Sequence, residues 1–269
     1  MTTVELPQLR QVRAGPRTIA YREAGRGPVL VLLHGIGSGS ASWRAQYQEL
    51  GRRFRVIAWD APGYGGSDGF AKEAPAPKDY AASVLDLADA LELKRFDLLG
   101  HSLGGVVAAS FGRHYADRLG NLILANPSPG YATAPEEARR ARVEGRINDM
   151  KTLGPEGLAA KRAPGLLSVN ASPEMIEAVA AVQRELHPEG YAQAARMLGL
   201  ADTIADGAHI KAPTLVIGSS NDTLTPEDVC RKIAAAISGA RYAGLTGAGH
   251  ASYVEDPAGF NRLVLSFLT

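Results

Sequence analysis

Residues 96–105, with the sequence Phe-Asp-Leu-Leu-Gly-His-Ser-Leu-Gly-Gly, most constrain how this chain can fold. The apolar run at their start is typical of a buried strand, and the alanine-rich segment 106–115 that follows is typical of a helix. Gly100 and Gly104 flank Ser102 at a turn so tight that any side chain there would collide with neighbouring backbone. The pattern predicts that Ser102 projects from the fold as a nucleophile. The alternative is a glycine-rich helix start with Ser102 as its cap.

Length and charge limit the class of partner. The chain has 269 residues, enough for one large domain, and 29 basic against 28 acidic side chains leave a net charge of +1. No global field would therefore attract nucleic acid or an anionic membrane, and a small-molecule substrate is the expected partner. A homo-oligomer is left open by the sequence.

The cysteine content and the N-terminal segment bear on location. Cys230 is the single cysteine, which excludes an internal disulfide, fits a reducing compartment and predicts a buried structural thiol. Residues 1–21 contain no apolar core of signal-peptide length, and no window approaches roughly 20 apolar residues. These features predict a soluble, cytoplasmic protein.

The order of apolar runs predicts an α/β protein. An antiparallel hairpin over 11–24 precedes buried-strand runs at 29–33, 54–59, 122–126 and 213–218, and a short strand at 241–245. Helical patterns separate them, among them 80–91 and a closing helix at 257–268. We therefore expect an α/β core formed by residues 1–130 and 207–269.

Residues 131–206 depart from this pattern. They contain no strand-like run, but four helical segments at 136–150, 155–162, 173–185 and 191–198. A helical insertion between strands is best interpreted as a cap, or lid, over the carboxyl edge of the sheet, where active sites lie. The alternative is a set of ordinary packing helices.

The loop at 34–39, with the sequence His-Gly-Ile-Gly-Ser-Gly, has two competing interpretations. Together with the strand that ends at Asp60 it resembles a dinucleotide-binding fingerprint, but Ser40 or Ser42 stands where the third glycine is required. The favoured interpretation is an oxyanion loop, in which a backbone N–H binds developing negative charge. We expect His34 to pin this loop, and we retain it as a candidate substrate contact.

Three residues of catalytic type follow strand ends in the order Ser102, Asp222, His250. A serine hydroxyl needs a base within hydrogen-bond reach; imidazole supplies it, and a carboxylate holds the required tautomer. Asp60 precedes Ser102, against the Ser, acid, His order of this arrangement, so we assign it to bracing a loop. His187, in the predicted cap, is a further candidate substrate contact.

Five features together resemble the α/β-hydrolase superfamily over essentially the whole chain: His-Gly at 34–35, Gly-x-Gly-x-Ser at 63–67, residues 100–105, Asp222, and Gly-His at 249–250. Within it, the chain resembles 3-oxoadipate enol-lactonases and the meta-cleavage-product (carbon–carbon bond) hydrolases of aromatic catabolism. The resemblance implies an eight-stranded, mostly parallel sheet, a helical cap inserted before the seventh strand, no metal and no organic cofactor. It also implies oxyanion donors at the backbone N–H groups of Ile36 and Leu103.

Two positions separate the branches of this superfamily. Haloalkane dehalogenases and epoxide hydrolases have aspartate where this chain has Ser102, and carbon–carbon hydrolases usually have tryptophan after the catalytic histidine, where this chain has Ala251. We therefore expect a serine hydrolase that cleaves a small carboxylic ester or lactone through an acyl-enzyme. The alternatives are a carbon–carbon hydrolase acting on dienones and a ligand receptor without turnover.

Arginines in the predicted cap are the guide to substrate charge. Most are expected on solvated faces, but Arg196 lies in the segment 191–198 among alanine and leucine. A cation on the apolar side of a lid could hold a carboxylate bidentately. The sequence therefore predicts an acidic lactone or ester, with Arg196 as its contact.

Overall fold

The computed structural model describes residues 5–269, so the first four residues of the predicted core range lie outside it. Eight strands of the described chain form one sheet in the order β1-β2-β4-β3-β5-β6-β7-β8. The strands are β1 Leu9–Ala14, β2 Arg17–Ala24, β3 Val29–Leu33, β4 Arg55–Trp59, β5 Phe96–His101, β6 Leu119–Ala125, β7 Thr214–Ser219 and β8 Arg241–Leu245. Only the β1–β2 and β2–β4 pairings are antiparallel, which confirms the mostly parallel sheet.

Ten α-helices accompany the sheet in the described residues. They are α1 Arg44–Leu50, α2 Pro77–Ala90, α3 Leu103–His114, α4 Glu136–Arg162, α5 Pro173–Gln183, α6 Pro188–Leu200, α7 Thr203–Gly207, α8 Glu227–Ala236, α9 Ser252–Glu255 and α10 Pro257–Leu268. Helix α4 is kinked at Gly154, where φ is 64° and the next residue is proline. No helix of residues 5–269 has the length and apolarity needed to cross a membrane.

Helices cover both faces of the sheet. Val84 of α2, Val107 of α3 and Ile233 of α8 belong to the core on one face. Leu50 of α1 and Phe260 of α10 belong to the core on the other. The central strands are thus buried on both sides, which explains their continuous apolar runs, and the loops after β3 to β8 meet at one edge.

Four helices, α4 to α7, lie between β6 and β7. Helix α4 packs against α5 and α6, and we call the segment from α4 to α6 the cap, whereas α7 packs against α3 and α8 of the core. The start of α6 contacts the loop after β4 so closely that a Cβ on Gly190 would lie 1.9 Å from the carbonyl oxygen of Gly63. Gly63 itself has a φ of 82°. Both positions therefore require glycine, because the two backbones touch where the cap meets the core.

Candidate active site

The turn between β5 and α3 holds Ser102 in a strained conformation. Ser102 has a φ of 54° and ψ of −112°, in a region that residues with a Cβ rarely adopt. A Cβ on Gly100 would lie 2.1 Å from the oxygen of Gly104, and one on Gly104 would lie 2.1 Å from the oxygen of Leu33. The glycines are therefore required by backbone contact, and the turn directs Ser102 into a cavity under the cap.

The acid and the histidine come from the loops after β7 and β8. Nδ1 of His250 lies 2.8 Å from Oδ2 of Asp222, and both side chains are almost fully buried. A carboxylate accepts hydrogen bonds, so Nδ1 carries the proton and Nε2 has a free lone pair. His250 lines the same cavity as Ser102. The arrangement orients the imidazole of His250 at the edge of the sheet, with Nε2 left out of the contact to Asp222.

The carboxylate of Asp222 is surrounded by further donors. Its Oδ1 accepts the backbone N–H groups of Leu224 at 2.8 Å and Thr225 at 2.9 Å. Its Oδ2 accepts the hydroxyl of Thr225 at 2.6 Å and Nδ2 of Asn126 at 2.9 Å. Burial acts to raise the pKa of Asp222, but the hydrogen bonds from His250 and Thr225 outweigh it and hold that pKa well below its usual range. Asp222 is thus an oriented, ionised group.

The backbone N–H groups of Ile36 and Leu103 are the oxyanion donors that the family resemblance implies. A Cβ on Gly35 would lie 3.3 Å from Cβ of Ser102, so the loop after β3 passes directly beside the serine. The carbonyl of Ile36 accepts the hydroxyl of Tyr64 at 2.9 Å, which holds this peptide in place. Leu103 is the first residue of α3, so its N–H has no partner within the helix. The oxyanion role of Ile36 and Leu103 stays a prediction.

His34 does not contact the cavity. It is fully buried, its Nε2 accepts the N–H of Ala61 at 3.0 Å, and its Nδ1 lies 2.8 Å from the oxygen of Gly35. The carboxylate of Asp60 accepts the N–H of Ser40 at 2.7 Å. Retaining His34 as a substrate contact was therefore wrong, because both ring nitrogens are used by backbone. The loop-pinning and loop-bracing roles predicted for His34 and Asp60 are confirmed.

The cavity has a volume of about 860 Å³ and lies between the sheet edge and the cap. Neither His187 nor Arg196 lines it. His187 is exposed and donates to the oxygen of Gly65 at 3.1 Å, whereas Arg196 forms an ion pair of 3.0 Å with the exposed Glu73. Both predicted substrate contacts are thus wrong, because these side chains lie outside the cavity where α6 meets core loops, His187 against Gly65 and Arg196 against Glu73.

A different arginine occupies the cap side of the cavity. Arg146 of α4 lines it together with Tyr131 and Tyr191, and it donates to the hydroxyl of Tyr131 at 3.2 Å. Sequence patterning missed Arg146 because α4 carries many charges and no clear apolar face. Its inward orientation follows from the packing of α4 against α6.

The comparisons with known proteins agree with this architecture. A family model described as the alpha/beta hydrolase family matches residues 30–263, most of the chain. The chain belongs to the alpha/beta hydrolase family. It is 29% identical to a putative carbamate hydrolase, RutD, of Rhizobium rhizogenes, over 89% of this chain and 92% of the relative.

Two further relatives differ in the reaction they are named for. The hydrolase is 28% identical to a 2-hydroxy-6-oxo-6-phenylhexa-2,4-dienoate hydrolase of Comamonas testosteroni, over 93% of this chain and 91% of that one. The solved enol-lactonase of Burkholderia xenovorans LB400 superposes with a TM-score of 0.87 at 27% identity, covering 96% of this chain and 99% of the other. The similarity therefore identifies the family but does not select one substrate.

Three residues of the hydrolase site escaped the sequence analysis because their roles depend on distant contacts. Asn126, at a φ of 44° after β6, donates to Asp222 and accepts from Ser252 at 2.8 Å. Thr225 donates to the same carboxylate. Glu255 accepts the N–H groups of Ser168 in the cap at 2.9 Å and of Gly249 beside His250 at 2.8 Å. Of these three residues, only Asn126 carried a signal in the sequence, because it is a polar residue directly after β6.

Cys230 of the hydrolase is the buried structural thiol that the sequence predicts. Its Sγ donates to the carbonyl of Thr225 at 3.5 Å, so α8 supports the acid loop from below. Burial raises the pKa of the Cys230 thiol to about 12. The thiol is therefore protonated and unreactive at neutral pH.

Proposed function

We propose that the protein is a serine hydrolase that cleaves a small carboxylic ester or lactone through an acyl-enzyme on Ser102. The observation that carries the proposal is the 2.8 Å contact between Nδ1 of His250 and Oδ2 of Asp222, at the edge of the cavity that Ser102 also lines. It leaves Nε2 of His250 free to act as a base in the cavity into which the backbone directs Ser102.

Acylation uses each residue once. Oγ of Ser102 attacks the carbonyl carbon while Nε2 of His250 takes its proton, and the N–H groups of Ile36 and Leu103 bind the resulting oxyanion. Asp222 keeps the imidazole oriented and stabilises the imidazolium. Collapse of the tetrahedral intermediate breaks the bond to the alkoxy oxygen, which receives the proton from Nε2 as it leaves.

Deacylation reverses these roles with water. His250 takes a proton from a water molecule as its oxygen attacks the acyl carbon, and the same N–H groups bind the second oxyanion. When the intermediate collapses, Oγ of Ser102 recovers the proton. For a lactone, the alcohol and the acid leave as one ring-opened product.

The residue after the histidine favours an ester or lactone over a carbon–carbon bond. Ala251 lines the cavity, and its methyl group supplies no aromatic ring to a dienone. The alternative remains cleavage of meta-cleavage dienones, since one relative is named for such a substrate. A receptor that binds a ligand without turnover is the third candidate.

A substrate panel tests the three candidates. Neutral esters, enol-lactones and meta-cleavage dienones are assayed with the wild type and with Ser102→Ala, a variant that should lose about 10⁶-fold in kcat. Multiple turnover on esters or lactones supports the proposal, and cleavage of dienones alone supports carbon–carbon hydrolysis. Tight binding with at most a single turnover identifies a receptor.

Partners and location follow as further parts of the proposal. We infer a small-molecule substrate, with neither nucleic acid nor membrane as a partner, from the net charge of +1. The single cysteine supports a cytoplasmic location. Fractionation of cells that express a tagged protein tests this location.

A further inference from the structure

The cap side of the cavity contains a cation without a carboxylate partner. Arg146 is half-buried and lines the cavity, and none of the ion pairs among residues 5–269 includes it. Asp149, the acid of the same wall, is already engaged by Lys161 and Arg162 at 2.8 Å each. A guanidinium is always charged, and its removal from water without a counter-ion is unfavourable.

Two tyrosine hydroxyls lie beside this guanidinium. The hydroxyl of Tyr131 accepts its hydrogen bond at 3.2 Å and thereby keeps its own proton available for a further acceptor. Tyr191 is fully buried, and its hydroxyl, near Arg146 but short of hydrogen-bond geometry, has no partner in the described chain. Donors predominate at this site, and a buried hydroxyl without an acceptor is itself costly.

The surrounding charges also favour an anionic ligand at this end of the cavity. Arg142, one turn before Arg146 on α4, lies over the ring of Tyr131 at 5.4 Å and also lines the cavity. The opposite side of the cavity is the sheet edge with Ser102 and His250. A ligand that spans the cavity therefore meets the reacting groups at one end and uncompensated positive charge at the other.

We propose that Arg146, with the hydroxyls of Tyr131 and Tyr191, forms an anion subsite that binds a carboxylate of the substrate remote from the bond that is cleaved. This inference rests on the proposed function. Arg146 takes the role that the sequence predicted for Arg196, whose guanidinium is paired with Glu73 outside the cavity. A carboxylate accepts two hydrogen bonds from one guanidinium and has lone pairs left for a tyrosine hydroxyl.

A pair of matched esters tests the subsite. Monomethyl adipate and dimethyl adipate differ only in the remote carboxylate. We expect Arg146→Met to reduce kcat/KM for the monoester by about 10- to 100-fold, mainly through KM, because a charge-assisted hydrogen bond is lost. The diester should change by less than about threefold. Arg146→Lys should retain part of the selectivity, and Tyr191→Phe should lose less than Arg146→Met.

Arg196→Met is the matched control, since it removes an arginine from the same cap outside the cavity, and it should leave the ratio of the two esters unchanged. A parallel loss on both esters in Arg146→Met, or no loss on either, overturns the subsite and leaves Arg146 a structural residue. Thermal unfolding of each variant shows whether it is folded.

A binding experiment separates failure of the subsite from failure of the proposed function. Adipate and the neutral adipamide are titrated calorimetrically into Ser102→Ala and into Ser102→Ala/Arg146→Met, so that no turnover is needed. Binding of adipate that disappears with Arg146 supports the subsite even if neither ester is hydrolysed. Equal binding in the two proteins, or no preference for adipate over adipamide, overturns it.

Discussion

The two sides of the cavity are stabilised in opposite ways. On the acid wall, which we define as residues 222–225 with Asn126 and His250, one fully buried carboxylate receives five hydrogen bonds. On the cap wall, defined as the cavity-lining residues of α4 and α6 with Tyr131, Arg146 has one hydrogen bond and a buried tyrosine hydroxyl has none. The acid wall thus holds its carboxylate in one geometry through many contacts, whereas the donors of the cap wall lack an acceptor that a bound ligand would supply.

This difference predicts how each wall responds to substitution. Changes on the acid wall should lower kcat, because they disorient groups that act in the transition state. Changes on the cap wall should alter KM and the choice of substrate, because they remove contacts made equally before and during the reaction. Substitutions in the cap helices can therefore change which substrate binds while the residues at the sheet edge perform the same reaction.

The largest expected effect follows from Asp222→Asn. The amide cannot accept the Nδ1 proton and stabilise an imidazolium as the carboxylate does, so kcat on a neutral ester should fall by about 10⁴-fold with the fold intact. Asp256→Asn is the matched control, because Asp256 caps α10 and asparagine caps equally well. Near wild-type kcat in Asp222→Asn would show that another acid supports the histidine.

Thr225→Val tests whether hydrogen bonds to the acid matter beyond its presence. The variant keeps the shape but removes the hydroxyl that lies 2.6 Å from Oδ2 of Asp222. We expect kcat to fall by about 10- to 100-fold with KM unchanged, since one buried charge-assisted hydrogen bond is lost. Thr225→Ser restores the hydroxyl and should recover most of the rate. A loss confined to KM would place Thr225 in substrate binding instead.

Glu255→Gln probes the contact that joins the segment before α5 to the loop before His250. Oε2 of Glu255 accepts the N–H groups of Ser168 and Gly249, and a neutral amide oxygen in its place forms weaker hydrogen bonds than a carboxylate does. The free energy of unfolding should fall by about 1 to 2 kcal/mol. Hydrogen exchange at the amides of 168 and 249 should accelerate together. Faster exchange at Ser168 alone would show that the histidine loop is held independently.

Acidification tests the neutral histidines of the core. Burial and the neighbouring His250 lower the pKa of His101 to about 3, and burial also lowers the pKa of His34. Below the ordinary histidine pKa of 6.5 the unfolded chain binds a proton that the folded protein excludes. The free energy of unfolding is therefore highest above pH 6.5 and falls as the pH drops toward the folded pKa. For His101 the free energy of unfolding should fall by about 1.4 kcal/mol per pH unit between pH 6 and 4, and His34 should add to the loss in the same direction.

His101→Gln isolates one of these protons. Glutamine still offers a donor to the oxygen of His250, which lies 2.9 Å from Nε2 of His101, but it does not titrate. The free energy of unfolding, measured by denaturant titration at pH 8, 6 and 5, should therefore fall less steeply in the variant. Identical slopes in the two proteins would show that His101 is protonated in the fold at these pH values.

The smallest effect is expected for Arg196→Ala, where α6 meets the loop before α2. Its partner Glu73 is 82% exposed, and exposed ion pairs contribute little. Thermal unfolding and kcat/KM should stay close to wild type, with a change of less than about 0.5 kcal/mol. A loss of activity on acidic substrates in this variant would restore Arg196 as a recognition residue.

The sheet and the order of its elements were determined by the sequence alone. Buried parallel strands must be apolar on both faces, and tight turns require glycine, so 29–33, 96–99 and 100–104 carry local patterns that can be recognised in the sequence. The same strand patterns pointed to Ser102, which directly follows β5, and to Asp222 and His250, which lie in the loops after β7 and β8. Their catalytic roles remain a proposal.

Only the tertiary structure decided which cap residues reach the cavity. Whether a charged residue on a helix points inward depends on the angle at which that helix packs. Helix α4 has no apolar face from which this orientation could be predicted. Arg146 therefore lines the cavity while Arg196, in a more apolar segment, pairs with Glu73. The hydrogen bond from Asn126 to Asp222 and the one from Ser168 to Glu255 each join residues about 90 positions apart in the sequence. Only the folded chain brings these residues together.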